Sequence, residues 1–134
     1  TELHIFGFSK FDEIQKRRIE IWWKYYNGLE NWGLRNGVRL PFIPDYASRN
    51  GHMFYLVCKS GEQRSMLIEK LKENGVHAVF HYLSLHNSDF YRQLHGAREL
   101  PNADQYTEQL VRLPMFYELK NSEIERIISI INNL

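Results

Sequence analysis

The 134 residues, 43% hydrophobic and 25% charged, fit one globular domain that can hold a core without disulfide or metal. Seventeen basic residues against sixteen acidic ones leave a formal charge of +1, which provides no field for nucleic acid or an anionic membrane surface. Cys58 is the only cysteine, no apolar run approaches the roughly 20 residues of a membrane span, and no signal-peptide pattern opens the chain, so a cytoplasmic location with a reduced, buried thiol is expected.

The chain begins at Thr1 and runs directly into Leu3, Ile5, Phe6 and Phe8, which reads as part of a longer polypeptide; loss of an initiator methionine before threonine is the alternative. Ser9 is placed to cap a helix with Asp12 and Glu13 in its first turn. Phe11, Ile14, Ile19, Trp22, Tyr26 and Leu29 then recur at helical spacing, which predicts a long amphipathic helix over about 10–31, closed at Asn31 to Gly33. Trp23 and Tyr25 widen its apolar side, so cover from two directions is expected. Residues 34–51, with Pro41 and Pro44, read as an ordered loop.

The α/β core is expected over about 52–134. His52 to Cys58 (HMFYLVC) predicts a buried strand, and Ser60 with Gln63 a capping box for the next helix, stopped at Asn74-Gly75. Val76 to Leu83 (VHAVFHYL) predicts a second strand with Val76, Ala78, Phe80 and Tyr82 on one face and both faces at least partly covered. A helical turn around Asp89 to Leu94 and a helix from Asn102, boxed by Gln105, come next. Arg112 to Phe116 predicts a strand that Pro114 confines to an edge or a bulge. The last helix starts at Ser122 with Glu125 as its partner and aligns Ile124, Ile127, Ile128, Ile131 and Leu134. The expected fold class is α/β (α+β): one domain, 1–134, with a small sheet of about three strands packed by helices.

Chemistry is sparse. His81 and His86 lie five apart, which is no recognised ligand spacing, so no metal is expected. Cys58 has no neighbour to activate its thiol, and glycine-rich phosphate loops and a nucleophile elbow are absent. What stands out is Phe80 to Tyr91, FHYLSLHNSDFY, where flat aromatic faces alternate with imidazole and hydroxyl groups. That mixture suits a polar ligand with flat surfaces, such as a sugar; the plain alternative is an aromatic loop that covers the sheet end.

The blocks Asn50-Gly-His-Met-Phe-Tyr55, Leu71-Lys-Glu-Asn-Gly75, Ala78-Val-Phe-His-Tyr-Leu-Ser-Leu-His86 and Arg112-Leu-Pro-Met-Phe-Tyr117 resemble, in order, the C-terminal part of the DegT/DnrJ/EryC1/StrS family of sugar aminotransferases. The likeness runs over about 14–134, while Thr1 to Phe11 departs from the family's usual approach to the first helix. The resemblance implies the small C-terminal domain of a fold type I enzyme that uses pyridoxal phosphate, works as a homodimer and transfers an amino group from glutamate to a nucleotide-linked keto-deoxysugar for cell-surface polysaccharide. It implies that the large domain, with the cofactor site and the catalytic lysine, precedes this chain. None of the seven lysines has the serine-x-x-x-lysine context of the family, so no catalytic or cofactor-binding residue and no bound cofactor are expected here, and the chain alone should be inactive. His81, Tyr82, His86 and His52 are the substrate-binding residues that the resemblance implies. A free-standing α/β module that binds a nucleotide-sugar or a protein, without catalysis, is the competing reading.

Overall fold

The computed structural model describes the backbone of residues 2–134 and the side chains of residues 10–134. Helix α1 (Glu2–Asn36) is longer than predicted at both ends. It runs through Ser9, whose side chain lies outside the described residues. At the other end Gly33 is not the terminator. A Cβ there would sit 2.5 Å from Leu40 Cδ1 and 2.8 Å from the Val38 carbonyl oxygen, so glycine is needed for the close return of the chain. The stop comes at Gly37 (φ 67°), where the Val38 amide donates to the Gly33 carbonyl at 2.9 Å, the closing bond of a Schellman turn.

Strand β1 (Phe54–Val57) lies inside the predicted span, and α2 (Gly61–Glu73) opens as expected, with Ser60 Oγ accepting from the Gln63 amide at 3.2 Å. Gln63 Oε1 reaches back to the Lys59 amide at 2.8 Å, one residue further than the predicted box. Strand β2 shrinks to Val79–Phe80. The Val76 amide donates to the Leu71 carbonyl at 2.8 Å, which folds 76–78 onto the end of α2 and out of the ladder. Val76 and Ala78 are buried as predicted, but Phe80, Tyr82 and Leu83 are exposed, so the expected two-sided cover fails beyond residue 79.

A 3-10 turn (Leu85–Asn87) precedes α3 (Asp89–His95) and α4 (Pro101–Gln109). Helix α4 starts on proline with no side-chain cap, so the Asn102–Gln105 box does not form. Strand β3 (Leu110–Leu113) corrects a further expectation: it is the central strand, antiparallel to β1 and β2, in the order β1-β3-β2. Pro114 lies one residue past its end, so the missing amide costs no ladder bond. Helix α5 (Asn121–Asn132) begins with the Lys120 amide donating to Glu123 Oε2 at 2.9 Å, two residues ahead of the predicted partner.

The register explains the sheet's two faces. Phe54 pairs with Leu113 and Leu56 with Val111, and all four are buried in the main core. Tyr55, Arg112 and Val79, paired in a row on the other face, are only half-buried. Ile21, Tyr25 and Leu29 of α1 join Ile124, Ile127 and Ile131 of α5 in the core, each stabilising by roughly 1.5–3 kcal/mol before conformational entropy is subtracted. Cys58 is buried there too, which pushes its thiol up to about 11 and keeps it protonated.

The expected cover of the first helix from two directions is met in part within the domain. Trp22 and Tyr25 are buried with their ring centroids 5.4 and 5.3 Å from Phe54. Trp23 is partly exposed, but the Arg49 guanidinium lies 3.8 Å from its ring centroid and covers it by a cation–π contact.

Candidate functional site

The segment after β2 leaves the sheet and carries its polar and aromatic groups out along one end of the domain. His81 is half-buried and stacks edge-on against Tyr82, with ring centroids 4.8 Å apart and planes at 68°. Tyr82 itself is 69% exposed. Its ring therefore presents a broad open face beside the imidazole. His81 Nδ1 is buried and has no hydrogen-bond partner among the described residues. Burial first, and then the Arg112 guanidinium and the His52 imidazole, lower the His81 pKa from its ordinary value. The imidazole is therefore neutral at physiological pH and offers one donor and one acceptor.

His52 lies in the loop before β1. It is exposed, and the loop before β1 is tied to the first helix: Arg18 Nε donates to the Gly51 carbonyl at 2.9 Å, and its guanidinium also contacts the His52 carbonyl. The His52 amide donates to Asn50 Oδ1 at 3.0 Å. His81 follows β2, whose Val79 pairs with Arg112, and His52 acts on His81 electrostatically, although the three come from separate stretches of sequence.

His86 is placed differently. It sits in the 3-10 turn and is buried, 4% exposed, with Nε2 3.1 and 3.3 Å from the two Asp104 oxygens. Asn87 Nδ2 donates to Asp104 Oδ1 at 2.8 Å, and Ser84 Oγ lies 3.2 Å from the same oxygen. Arg92 of α3 donates to Asn87 Oδ1 at 2.7 Å. Of the four sequence-predicted residues, then, the fold brings His52, His81 and Tyr82 to a half-open surface and turns His86 inward onto α4.

Asp104 and Arg112 were not among those four. Arg112 opens one of the recognisable sequence blocks and alternates correctly with the buried Val111 and Leu113, so its place on the open face was readable in principle. Asp104 had no such signal, because its partners lie 17–20 residues away and only the fold joins them.

The DegT/DnrJ/EryC1/StrS aminotransferase family matches residues 4–132. The chain belongs to this family. A UDP-4-amino-4-deoxy-L-arabinose–oxoglutarate aminotransferase from Shewanella sediminis is 28% identical over 94% of the chain, which corresponds to 34% of that protein. Two solved aminotransferases share the fold. TlmJ from Streptoalloteichus hindustanus has a TM-score of 0.82 at 24% identity, over 94% of this chain and 33% of its own. The sugar aminotransferase Spr1654 from Streptococcus pneumoniae has a TM-score of 0.82 at 20% identity, over 96% of this chain and 33% of its own. The chain therefore spans about a third of the length of the relatives it matches.

Enzymes of this kind hold pyridoxal phosphate on a lysine, which needs a neutral amine in a desolvated pocket. None of the described lysines is buried in the 134-residue chain. Lys24 is half-buried and the others are exposed. Lys70 bonds Glu73 Oε2 at 2.9 Å, and this hydrogen bond raises its pKa and keeps it charged. Among the described residues, no group of three or more His, Cys, Asp or Glu side chains could hold a metal ion, and no helix is long and apolar enough to cross a membrane.

Proposed function

We propose that the full-length protein is a pyridoxal-phosphate-dependent sugar aminotransferase and that residues 1–134 form its small C-terminal domain. The observation that carries this reading is the family match across 4–132 of a chain that spans only a third of its relatives. In this reading the cofactor and its lysine belong to a large domain upstream, and the whole enzyme works as a cytoplasmic homodimer. Glutamate gives its amino group to a keto-deoxysugar and leaves as oxoglutarate. The Shewanella relative, whose name contains oxoglutarate, supports that donor.

The substrate is a dTDP-linked keto-deoxysugar that serves cell-surface polysaccharide such as lipopolysaccharide. The support is motif likeness: HMFY, AVFHY and RLPMFY in this chain are similar to the blocks of dTDP-4-amino-4,6-dideoxygalactose transaminases. Tyr82 and His81 supply a flat face and a neutral imidazole against the sugar, with His52 beside them. His86 supports this edge from behind.

The test compares half-reactions on the full-length enzyme. Glutamate alone should convert its Schiff-base absorbance to the aminated cofactor form, and a dTDP-linked keto-sugar should reverse the change faster than a UDP-linked one. The 134-residue chain mixed with pyridoxal phosphate should form no borohydride-trappable adduct at a single lysine. Equal rates with both nucleotides would remove the dTDP assignment, and turnover by the chain alone would overturn the division of labour between domains.

A further inference from the structure

We infer that Asp104 is a positioning residue that holds the segment 84–92 against α4 and fixes the proton of His86 on Nε2. No sequence pattern marks it, yet three side chains of the segment converge on its carboxylate. Asn87 Nδ2 donates to Oδ1 at 2.8 Å, Ser84 Oγ is 3.2 Å from Oδ1, and His86 Nε2 is 3.1 and 3.3 Å from the two oxygens. A second contact holds the same stretch: Ser84 Oγ lies 2.6 Å from Thr107 Oγ1, one helical turn after Asp104. Arg92 then ties α3 to Asn87 at 2.7 Å. The segment thus hangs on α4 chiefly through one carboxylate.

The proton assignment comes from comparing acceptors. Asn87 Nδ2 is 3.2 Å from His86 Nε2, and with Nε2 unprotonated it could donate there. That tautomer would leave the Nε2 lone pair facing the Asp104 carboxylate at 3.1 Å, two acceptors in contact. A proton on Nε2 replaces this repulsion with a charge-assisted hydrogen bond, while one hydrogen of the Asn87 amide keeps its bond to Oδ1 in either tautomer. The ring is therefore held as the Nε2–H form. Leu85 and Phe90 of this segment, and Leu94 just beyond it, are all largely exposed, so they give it little anchorage within the domain.

Two measurements on the 134-residue chain test the holding role. Asp104→Ala should speed hydrogen exchange at the Asn87, Ser88 and Arg92 amides about tenfold, while amides of β3 and α5 keep their rates. Imidazole 15N shifts of His86 should lose the Nε2–H signature. If neither changes, the inference is overturned. If exchange accelerates everywhere, Asp104→Asn, which keeps the size and removes the charge, decides: acceleration confined to 84–92 supports the role, and none overturns it. The kinetic consequence rests on the proposed sugar site. In the full-length enzyme, Asp104→Ala should raise the keto-sugar KM about tenfold with the glutamate half-reaction unchanged. Altered exchange and tautomer without that rise would leave the positioning role standing and remove the segment from the sugar site.

Discussion

His86 and Tyr82 lie four residues apart in one motif, and their surroundings separate a structural from a substrate-facing role. His86→Ala removes a buried ring and its bond to Asp104. A hydrogen bond to a charged partner contributes about 1.5–3 kcal/mol, but Asp104 is 37% exposed, so solvent screening reduces that figure. The void left by the ring adds to the loss. A net destabilisation of about 2 kcal/mol follows, which for a chain of this size lowers Tm by roughly 6–10 °C. Tyr82→Ala truncates a ring that is 69% exposed and should stay within about 0.5 kcal/mol of the parent. Urea denaturation of both variants of the 134-residue chain measures the stabilities, and half-reaction kinetics on the full-length enzyme measure function. Tyr82→Ala should lose about tenfold in keto-sugar kcat/KM, equivalent to about 1.4 kcal/mol of transition-state binding, and leave the glutamate half-reaction intact. A His86→Ala cost under about 0.5 kcal/mol would refute the burial argument. Equal losses in both half-reactions for Tyr82→Ala would refute the sugar-facing one.

Two further outcomes test the packing and the electrostatics. Gly28→Ala puts a Cβ 2.7 Å from Ile128 Cδ1 where α1 crosses α5, so despite the better helix propensity of alanine it should destabilise by about 1 kcal/mol, read by urea denaturation, with Ile128→Val in the same chain relieving part of the loss. The lowered pKa of His81 means that the unfolded chain takes up its proton first as pH falls; the stability linked to this group is complete above about pH 6.5, declines as pH falls through that value and levels off once the folded imidazole protonates. NMR titration should place the native midpoint below the ordinary value, and Arg112→Met should move it upward; a native midpoint at or above 6.5 would contradict the assignment.

The parts of the fold legible in the sequence are those whose signals are local. Ser60 and Gln63 mark the start of α2 because a cap and its donor sit three residues apart, and the isoleucine stripe of α5 is buried as its spacing requires at Ile124, Ile127 and Ile131. Strand limits are another matter. Val76 to Leu83 alternates like a strand, yet the ladder keeps only Val79–Phe80, because the Val76 amide is taken by the end of α2 and β3 offers partners only at Arg112 and Val111. Pro114 misled for the same reason: it restricts a strand that contains it, and the pairing with β1 begins one residue earlier, at Leu113. Gly33 carried a real constraint whose cause, the return of Val38 and Leu40 across the helix, lies outside any local window.

The histidines show how far composition can take a site and where it stops. In the sequence, His52, His81 and His86 are three similar groups near strand ends. The fold gives each a different capability: His52 is exposed beside a loop fastened to α1, His81 is half-buried and held neutral by burial and by Arg112, and His86 is buried against a carboxylate that sets its tautomer. A ligand at the open edge can exchange hydrogen bonds with the first two, whereas His86 has already committed Nε2 to Asp104. What residue type alone could not assign is therefore the division of labour, since it depends on Asp104 and Arg112, which reach the histidines only after α4 and β3 have packed.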